Sequence, residues 1–327
     1  MKICHFIASS LFGGAEKVVL DLCNELSREH EVHLITFDIR ENLYNLSPKV
    51  KCHTLNEFKR YNLFEIKKLL QLIHTIHPDI INTHSAKASR IVYTIKSFLP
   101  CAFVGTKHNA RKGKIFNRLS NVIAVSRRVK ESIKHTNVKI IHNGIKLEKI
   151  DTPKENTIFT IVAIGRLDKI KGFDILIKEC AKLNFEFHLQ IIGEGKERDN
   201  LEKLIDALDV QNKVSLLGFR ADTPQVIAEA NVVVISSLSE GFSMIIVESL
   251  MYAKILISRK VGISEEVLNT RLLIDDFKIA DKIADVYNHE KKYKEIFQEN
   301  TKAMKDHFLL ENIALEYKNY YEEVLKK

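Results

Sequence analysis

A chain of 327 residues, 45% hydrophobic and 28% charged, with 12 Gly and 5 Pro, has the length of about two domains and neither the composition of a disordered chain nor that of a fibrous one. Its five cysteines (Cys4, Cys23, Cys52, Cys101, Cys180) are odd in number, scattered and without a C-x-x-C pair, which argues against a disulfide framework or a zinc site and for reduced thiols. The net charge of +8 is uneven, with 25 Lys and Arg against 12 Asp and Glu over 1–150, but 25 against 30 over 151–327.

No apolar run reaches the roughly 18 residues a membrane span needs. Residues 3–12 could imitate a signal segment, but His5, Ser9 and Ser10 interrupt them and no A-x-A site follows. They read as a first core strand, and the protein is expected in the cytoplasm. Strand signals at 2–8, 31–37, 79–83, 101–106, 121–125 and 138–141 alternate with helical periodicity at 14–28, 65–76, 86–98 and 126–135. The polar, aperiodic stretch 149–156, with Pro153, reads as a linker. A second series follows, with strands at 158–164, 186–192, 213–217, 231–235 and 254–257 and helices at 172–182, 195–208, 223–229, 242–252 and 276–286. Such alternation predicts parallel sheets covered on both faces. The expected architecture is α/β: two Rossmann-like doubly wound domains, 1–150 and 151–305, facing across a cleft. A C-terminal helix over 306–327 is expected to pack back on the first domain.

Ligands of open α/β sheets sit beyond the carboxyl ends of strands. Gly13-Gly14, Gly165-Arg166, Gly193-Glu194-Gly195, Gly218-Phe219 and the stretch from Ser236 to Gly241 all fall at such ends. Gly13 and Gly14 open a helix whose free N–H groups suit an anion, although neither G-x-G-x-x-G nor G-x-x-x-x-G-K-[ST] occurs. Arg166 and Lys171 flank a turn where a helix begins, an arrangement suited to a diphosphate whose charge grows as it leaves. Glu240 and Glu248 are eight residues apart; on a continuous helix that spacing means a rise of roughly 12 Å and a phase difference of about 80°. Carboxylates accept hydrogen bonds from paired hydroxyls, as carbohydrate recognition requires.

Taken as an ordered set, several stretches resemble the retaining, nucleotide-sugar-dependent glycosyltransferases of GT-B fold, family 4 (group 1). They are F-G-G-A-E-K-V-V at 12–19, V-I-A-V-S at 122–126, I-I-H-N-G-I at 140–145, I-G-R-L-D-K-I-K-G-F at 164–173, I-I-G-E-G at 191–195, L-L-G-F at 216–219 and S-E-G-F-S-M-I-I-V-E at 239–248. The resemblance implies that Glu240 binds hydroxyls of the donor sugar and Glu248 the ribose, while Arg166 and Lys171 hold the diphosphate beside Gly165. It implies that Gly13 and Gly14 close over the phosphates and that Gly241, Phe242, Ser243 and Met244 present backbone N–H groups. Gly193, Gly218 and Phe219 would line the nucleotide end, and His108 would stand at the reaction centre. After Glu248 the family's small-residue Gly-Pro stretch is replaced by Met251-Tyr252-Ala253-Lys254-Ile255, and its Gly-Gly by Val261-Gly262, both on the donor side. No D-x-D motif occurs, so the transfer is expected to need no metal and no cofactor beyond the nucleotide-sugar, a UDP-sugar being favoured.

The family's first domain takes the acceptor, expected here to be a glycan or lipid-linked acceptor of surface polysaccharide or lipopolysaccharide-type assembly. Lys107, Arg111, Lys112, Lys114, Arg118, Arg127, Arg128, Lys130 and Lys134 suit a phosphorylated acceptor or the anionic inner face of a membrane. A sugar-nucleotide epimerase on the same fold is the alternative. Nucleic acid is not an expected partner, because helix-turn-helix spacing, zinc ligands and stacking motifs are missing.

Overall fold

A computed structural model describes residues 1–9, 13–37, 45–59, 61–111, 113–134, 137–275 and 278–326. Phe12 of the first glycine motif and Lys112 of the basic set lie outside the described residues. The chain forms two compact units, Met1–Lys146 with His307–Lys327, and Leu147–Asp306. Among the described residues no helix is long and apolar enough to cross a membrane.

The first unit begins with β1 (Lys2–Ile7), α1 (Gly14–Leu26), β2 (Glu31–Phe37) and β3 (Val50–Leu55). It continues through α2 (Leu63–Ile76), β4 (Ile80–His84), α3 (Ser85–Thr94), β5 (Ala102–Lys107), β6 (Val122–Ala124), α4 (Arg127–Glu131) and β7 (Val138–Ile140). All pairings are parallel, in the order β3-β2-β1-β4-β5-β6-β7. β4, I-I-N-T-H, is buried throughout, as a strand covered on both faces should be. β3 is one element the sequence reading missed, with the short helix Ser264–Val267 and the short strand Leu273–Ile274 of the second unit. V-K-C-H-T-L is an edge strand with Lys51, Cys52 and Thr54 exposed, so it carries neither a continuous apolar run nor a clean alternation.

In the second unit β8 (Phe159–Ile164), α5 (Phe173–Cys180), β9 (Phe187–Ile192), α6 (Arg198–Ala207), β10 (Val214–Gly218) and α7 (Thr223–Glu229) come first. After them come β11 (Val232–Ile235), α8 (Met244–Tyr252), β12 (Leu256–Arg259), α9 (Ser264–Val267), β13 (Leu273–Ile274), α10 (Ile279–Asn288) and α11 (Glu290–Met304). The sheet order is β10-β9-β8-β11-β12-β13, again all parallel. Each sheet therefore reverses its strand order once, between β1 and β4 and between β8 and β11. Such switch points are where doubly wound sheets bind ligands.

The stretch 149–156 is not the boundary expected of it, because the chain passes between units at Lys146 and Leu147. Those polar residues belong to the second unit, tied to α7 and, at the preceding Glu148, to α8. Glu148 N donates to Tyr252 Oη at 2.6 Å and Asp151 N to Gln225 Oε1 at 2.9 Å, and Asn156 Nδ2 donates to Glu229 O at 2.8 Å. The chain returns to the first unit at His307 and ends in α12 (Leu310–Leu325). That helix buries Ile313, Tyr317, Tyr320, Tyr321 and Val324 in one cluster with Val19, Leu22, Cys23 and Leu26 of α1. Asn82, at the centre of β4, donates to Tyr321 Oη at 2.7 Å. The terminal segment thus supplies part of the first unit's core.

Candidate active site

The carboxyl ends of β8 and β11, which flank the second unit's switch point, lead into loops that bond to each other. Leu238 N donates to Ile170 O at 2.8 Å, and Ser236 Oγ to Lys171 O at 2.9 Å. These bonds bring Lys171 Nζ to 2.6 Å from Glu240 Oε1, and Ser237 Oγ donates to that same oxygen at 2.7 Å. The Lys171 and Glu240 side chains are only 19% and 14% exposed, so their attraction is poorly screened and losing either partner would leave a charge half-buried. Oε1 takes both bonds. Oε2 stands outside them and can accept from a ligand hydroxyl, while Lys171 has further protons for an anion.

Around this pair the backbone is tightly constrained. Gly193 sits at φ 136°, and a Cβ on it would lie 2.0 Å from Gly165 O; close approach of neighbouring strand ends, rather than contact with a ligand, accounts for glycine there. Gly218 joins the same seam, its carbonyl accepting from Gly193 N at 2.8 Å. Below Glu240, Gly262 at φ 59° lets Phe242 O come so near that a Cβ would meet it at 2.3 Å, and Ile263 N donates to that carbonyl at 3.1 Å.

Glu240 and Glu248 do not share a helix. Ser243, at φ 78°, lies in the left-handed region, which an α-helix cannot include, so α8 starts at Met244 and Glu240 belongs to the loop before it. The helical rise and phase expected for the pair therefore do not apply. Glu248 stands partly buried on α8. Phe242 is buried, while Gly241, Ser243 and Met244 are partly exposed. Phe219, beyond β10, is 80% exposed.

Arg166 is not joined to Lys171. Its side chain is 74% exposed and its guanidinium pairs with Asp168, a residue that the sequence reading did not single out. Ser237 was missed too, because serine in a strand-end loop is common and only its bond to Glu240 distinguishes it.

The first unit places His108 just beyond β5, and the structure adds two residues to it. His84 Nδ1 lies 3.0 Å from His108 Nε2, and His84 Nε2 lies 2.9 Å from His5 Nδ1. The three histidines come from the adjacent strands β1 and β4 and the end of β5. Burial pushes the imidazole pKa of His108 down to about 4 and that of His5 to about 3, and holds His84 well below its ordinary value. All three are neutral at pH 7. A polar residue inside an otherwise apolar strand was the available signal for His5. Beyond the carboxyl end of β1, Gly13 is extended at φ −157° and α1 begins at Gly14, where a Cβ would meet nothing within 4 Å. The first N–H groups of α1 are thus open to close approach.

Beside His84 and His108 in sequence, the loops after β3 and β5 and the first turns of α3 line a cavity of about 1390 Å³. Lys87, Arg90, Arg111, Lys114, Arg118 and Lys134 line it, and Glu57 is the one acid among its described lining residues. Lys107 is only 3% exposed and donates to Ser132 Oγ on the cavity wall at 2.7 Å. Burial lowers its pKa. Tyr61 lines the same cavity, and Leu63 and Phe64, the next apolar side chains, are exposed. Arg127, Arg128 and Lys130 lie on or beside α4, away from the lining.

Comparison with known proteins gives the family. The family described as Glycosyl transferases group 1 matches residues 145–304, and Glycosyltransferase Family 4 matches residues 12–149. The O-antigen biosynthesis glycosyltransferase WclY of Escherichia coli is 23% identical, with 100% of this chain and 99% of that one aligned. A Campylobacter jejuni enzyme is 27% identical over 99% of both chains. It is a GalNAc-alpha-(1->4)-GalNAc-alpha-(1->3)-diNAcBac-PP-undecaprenol alpha-1,4-N-acetyl-D-galactosaminyltransferase. Among solved structures, Anabaena HepE in complex with UDP superposes with a TM-score of 0.87 at 21% identity, covering 99% of this chain and 100% of that one. The fold is therefore GT-B. The two family matches together span nearly the whole chain, and the protein belongs to the group 1 glycosyltransferases.

Proposed function

We propose that this enzyme moves a hexosyl or N-acetylhexosaminyl residue from a UDP-sugar to a lipid-linked glycan, with retention and without a metal, in lipopolysaccharide- or O-antigen-type assembly. The observation that carries the donor half is the Lys171–Glu240–Ser237 cluster at the switch point of the second sheet. In this reading Glu240 is held by one oxygen and offers the other to sugar hydroxyls, and Glu248 takes the ribose. Lys171, joined by Arg166 once a diphosphate displaces Asp168, neutralises the charge that develops on the leaving nucleotide. N–H groups of Gly241, Phe242, Ser243 and Met244, and of Gly13 and Gly14, add fixed dipoles at the phosphates. Gly165, Gly193, Gly218 and Phe219 form the nucleotide end. The acceptor hydroxyl attacks from the face the phosphate leaves, and a phosphate oxygen takes its proton, so no protein nucleophile is required. Fixed cations and helix ends do what a divalent ion does elsewhere.

The acceptor half is supported by the cationic cavity of the first unit and by the exposed Leu63 and Phe64, which together suit a phosphate group attached to an apolar chain. The UDP complex of HepE and the undecaprenyl-diphosphate acceptor in the Campylobacter enzyme's name favour the same pair of substrates. Peripheral attachment at the cytoplasmic face of a membrane follows from that acceptor. The test is an assay with UDP-, GDP- and ADP-sugars and an undecaprenyl-diphosphate glycan in EDTA. UDP release with an axial-to-axial product supports the reading. Turnover that vanishes in EDTA and returns with manganese, or an inverted anomer, overturns it.

A further inference from the structure

The histidine series in the first unit has a property that pairwise bonds do not. Each link joins two ring nitrogens and needs one N–H and one lone pair, and a neutral imidazole carries one of each. Three rings in series therefore admit only two proton arrangements. In the first, His5 Nδ1–H donates to His84, His84 Nδ1–H donates to His108 Nε2, and His108 keeps its proton on Nδ1. In the second every proton moves to the other nitrogen, and His5 ends with its proton on Nε2.

The two ends decide between them. His5 Nε2 and His108 Nδ1 are both buried and without a hydrogen-bond partner. His5 is wholly buried, with Tyr321 as an aromatic neighbour 6.4 Å away between ring centroids. An orphaned N–H in such a place is rarer and costlier than an orphaned lone pair. The second arrangement strands an N–H there permanently. The first puts the orphaned N–H at His108, beyond the carboxyl end of the sheet, on a side chain that as a whole is partly exposed. The rings are held to this alignment: His5 and His84 stack at 5.2 Å and 27°. Ser85, directly after His84, occupies the left-handed region at φ 72°, a strained position of the kind that gathers at functional sites.

We infer that His5 and His84 are positioning residues that hold His108 as its Nδ1–H tautomer, so that His108 meets the substrate as a hydrogen-bond donor to an oxygen and not as a proton acceptor. The inference rests on the glycosyl-transfer reading for the identity of that oxygen, a hydroxyl or phosphate oxygen of a substrate. It fits a reaction in which the phosphate itself takes the acceptor's proton, since no protein base is then wanted near the anomeric centre.

The test is a long-range proton–nitrogen correlation spectrum of full-length protein labelled with ¹⁵N-histidine, the His108 signals being assigned by their absence from His108→Gln. A protonated Nδ1 and bare Nε2 on His108 are expected. A protonated Nε2 overturns the inference, whether or not any sugar nucleotide turns over. Kinetics supply a second readout. His84→Leu lowers kcat about ten- to a hundredfold, as losing an orienting partner does elsewhere, with donor KM little changed. His84→Asn, whose amide nitrogen stands near the lost Nδ1, recovers most of that. Wild-type kcat in His84→Leu contradicts the positioning role. An inactive wild type whose His108 carries the Nδ1 proton sinks the transfer reading and leaves the tautomer standing.

Discussion

Lys171 donates to Glu240 at 2.6 Å although 69 positions separate them, and the fold exists at that point to make them neighbours. β8 and β11 are adjacent in the sheet, their loops are cross-bonded, and a cation and a carboxylate meet where the strand order reverses. Neither residue has a special sequence context alone; the parallel sheet supplies the constellation.

Replacing Lys171 by Met removes the cation and leaves Glu240 its bond to Ser237. Loss of one charge-stabilising donor in a shielded site costs about two to three orders of magnitude in kcat. The half-buried Glu240 carboxylate left without its cation should also lower the urea unfolding midpoint. Steady-state kinetics and urea titration on the same preparation check both halves. Unchanged kcat would remove Lys171 from the machinery.

The loop that carries Glu240 is strained at Ser243 and packed against Gly262, and two substitutions should move stability in opposite directions. Gly262→Ala places a methyl group 2.3 Å from Phe242 O at φ 59° and should destabilise by about 1–3 kcal/mol. Ser243→Gly relieves φ 78° and should leave the melting temperature unchanged or raise it, within about 1 kcal/mol. A lowered melting temperature in Ser243→Gly and an unaltered one in Gly262→Ala would contradict this account of the loop.

Acid should weaken the fold before any carboxylate is protonated. His5 and His108 have folded pKa values of about 3 and about 4, below the unfolded value of about 6.5. The unfolded chain therefore binds protons that the folded chain refuses, and stability rises with pH. Their contribution is complete above pH 6.5 and is lost as pH falls toward 4, at about 1.4 kcal/mol per pH unit for each histidine. His33, His53, His188 and His307 are also lowered by burial and act in the same sense. Urea midpoints at pH 7.5 and pH 5 measure this. A flat profile contradicts it.

Periodicity in the sequence was sufficient for the α/β class and for most strands, because a buried parallel strand such as V-V-V-I at 232–235 reads as an apolar run. It failed at β3, whose exposed edge hides its period, and at 149–156, where polar residues are tied to Gln225 and the Glu229 carbonyl rather than left as a link. Glycines at strand ends pointed to the loops that carry the candidate donor site. They could not separate Gly193, which answers a carbonyl of its own fold, from glycines that face a ligand. His108 was legible through the family pattern, whereas His5 and His84 were not. A histidine inside a strand looks like a defect in the run until the register sets it beside another. Arg166 was expected at Lys171, yet it pairs with an anion two residues along the chain, Asp168, and local pairing wins.

The central claim is that the Lys171–Glu240 site grips a nucleotide diphosphate by fixed positive groups alone. Calorimetric titration of UDP into the wild-type protein and into Lys171→Met, both in EDTA, tests it most directly. The account predicts measurable binding to the wild type in EDTA and affinity at least tenfold weaker in Lys171→Met. Equal affinity in the two proteins, or wild-type binding that appears only after a divalent ion is restored, would contradict it.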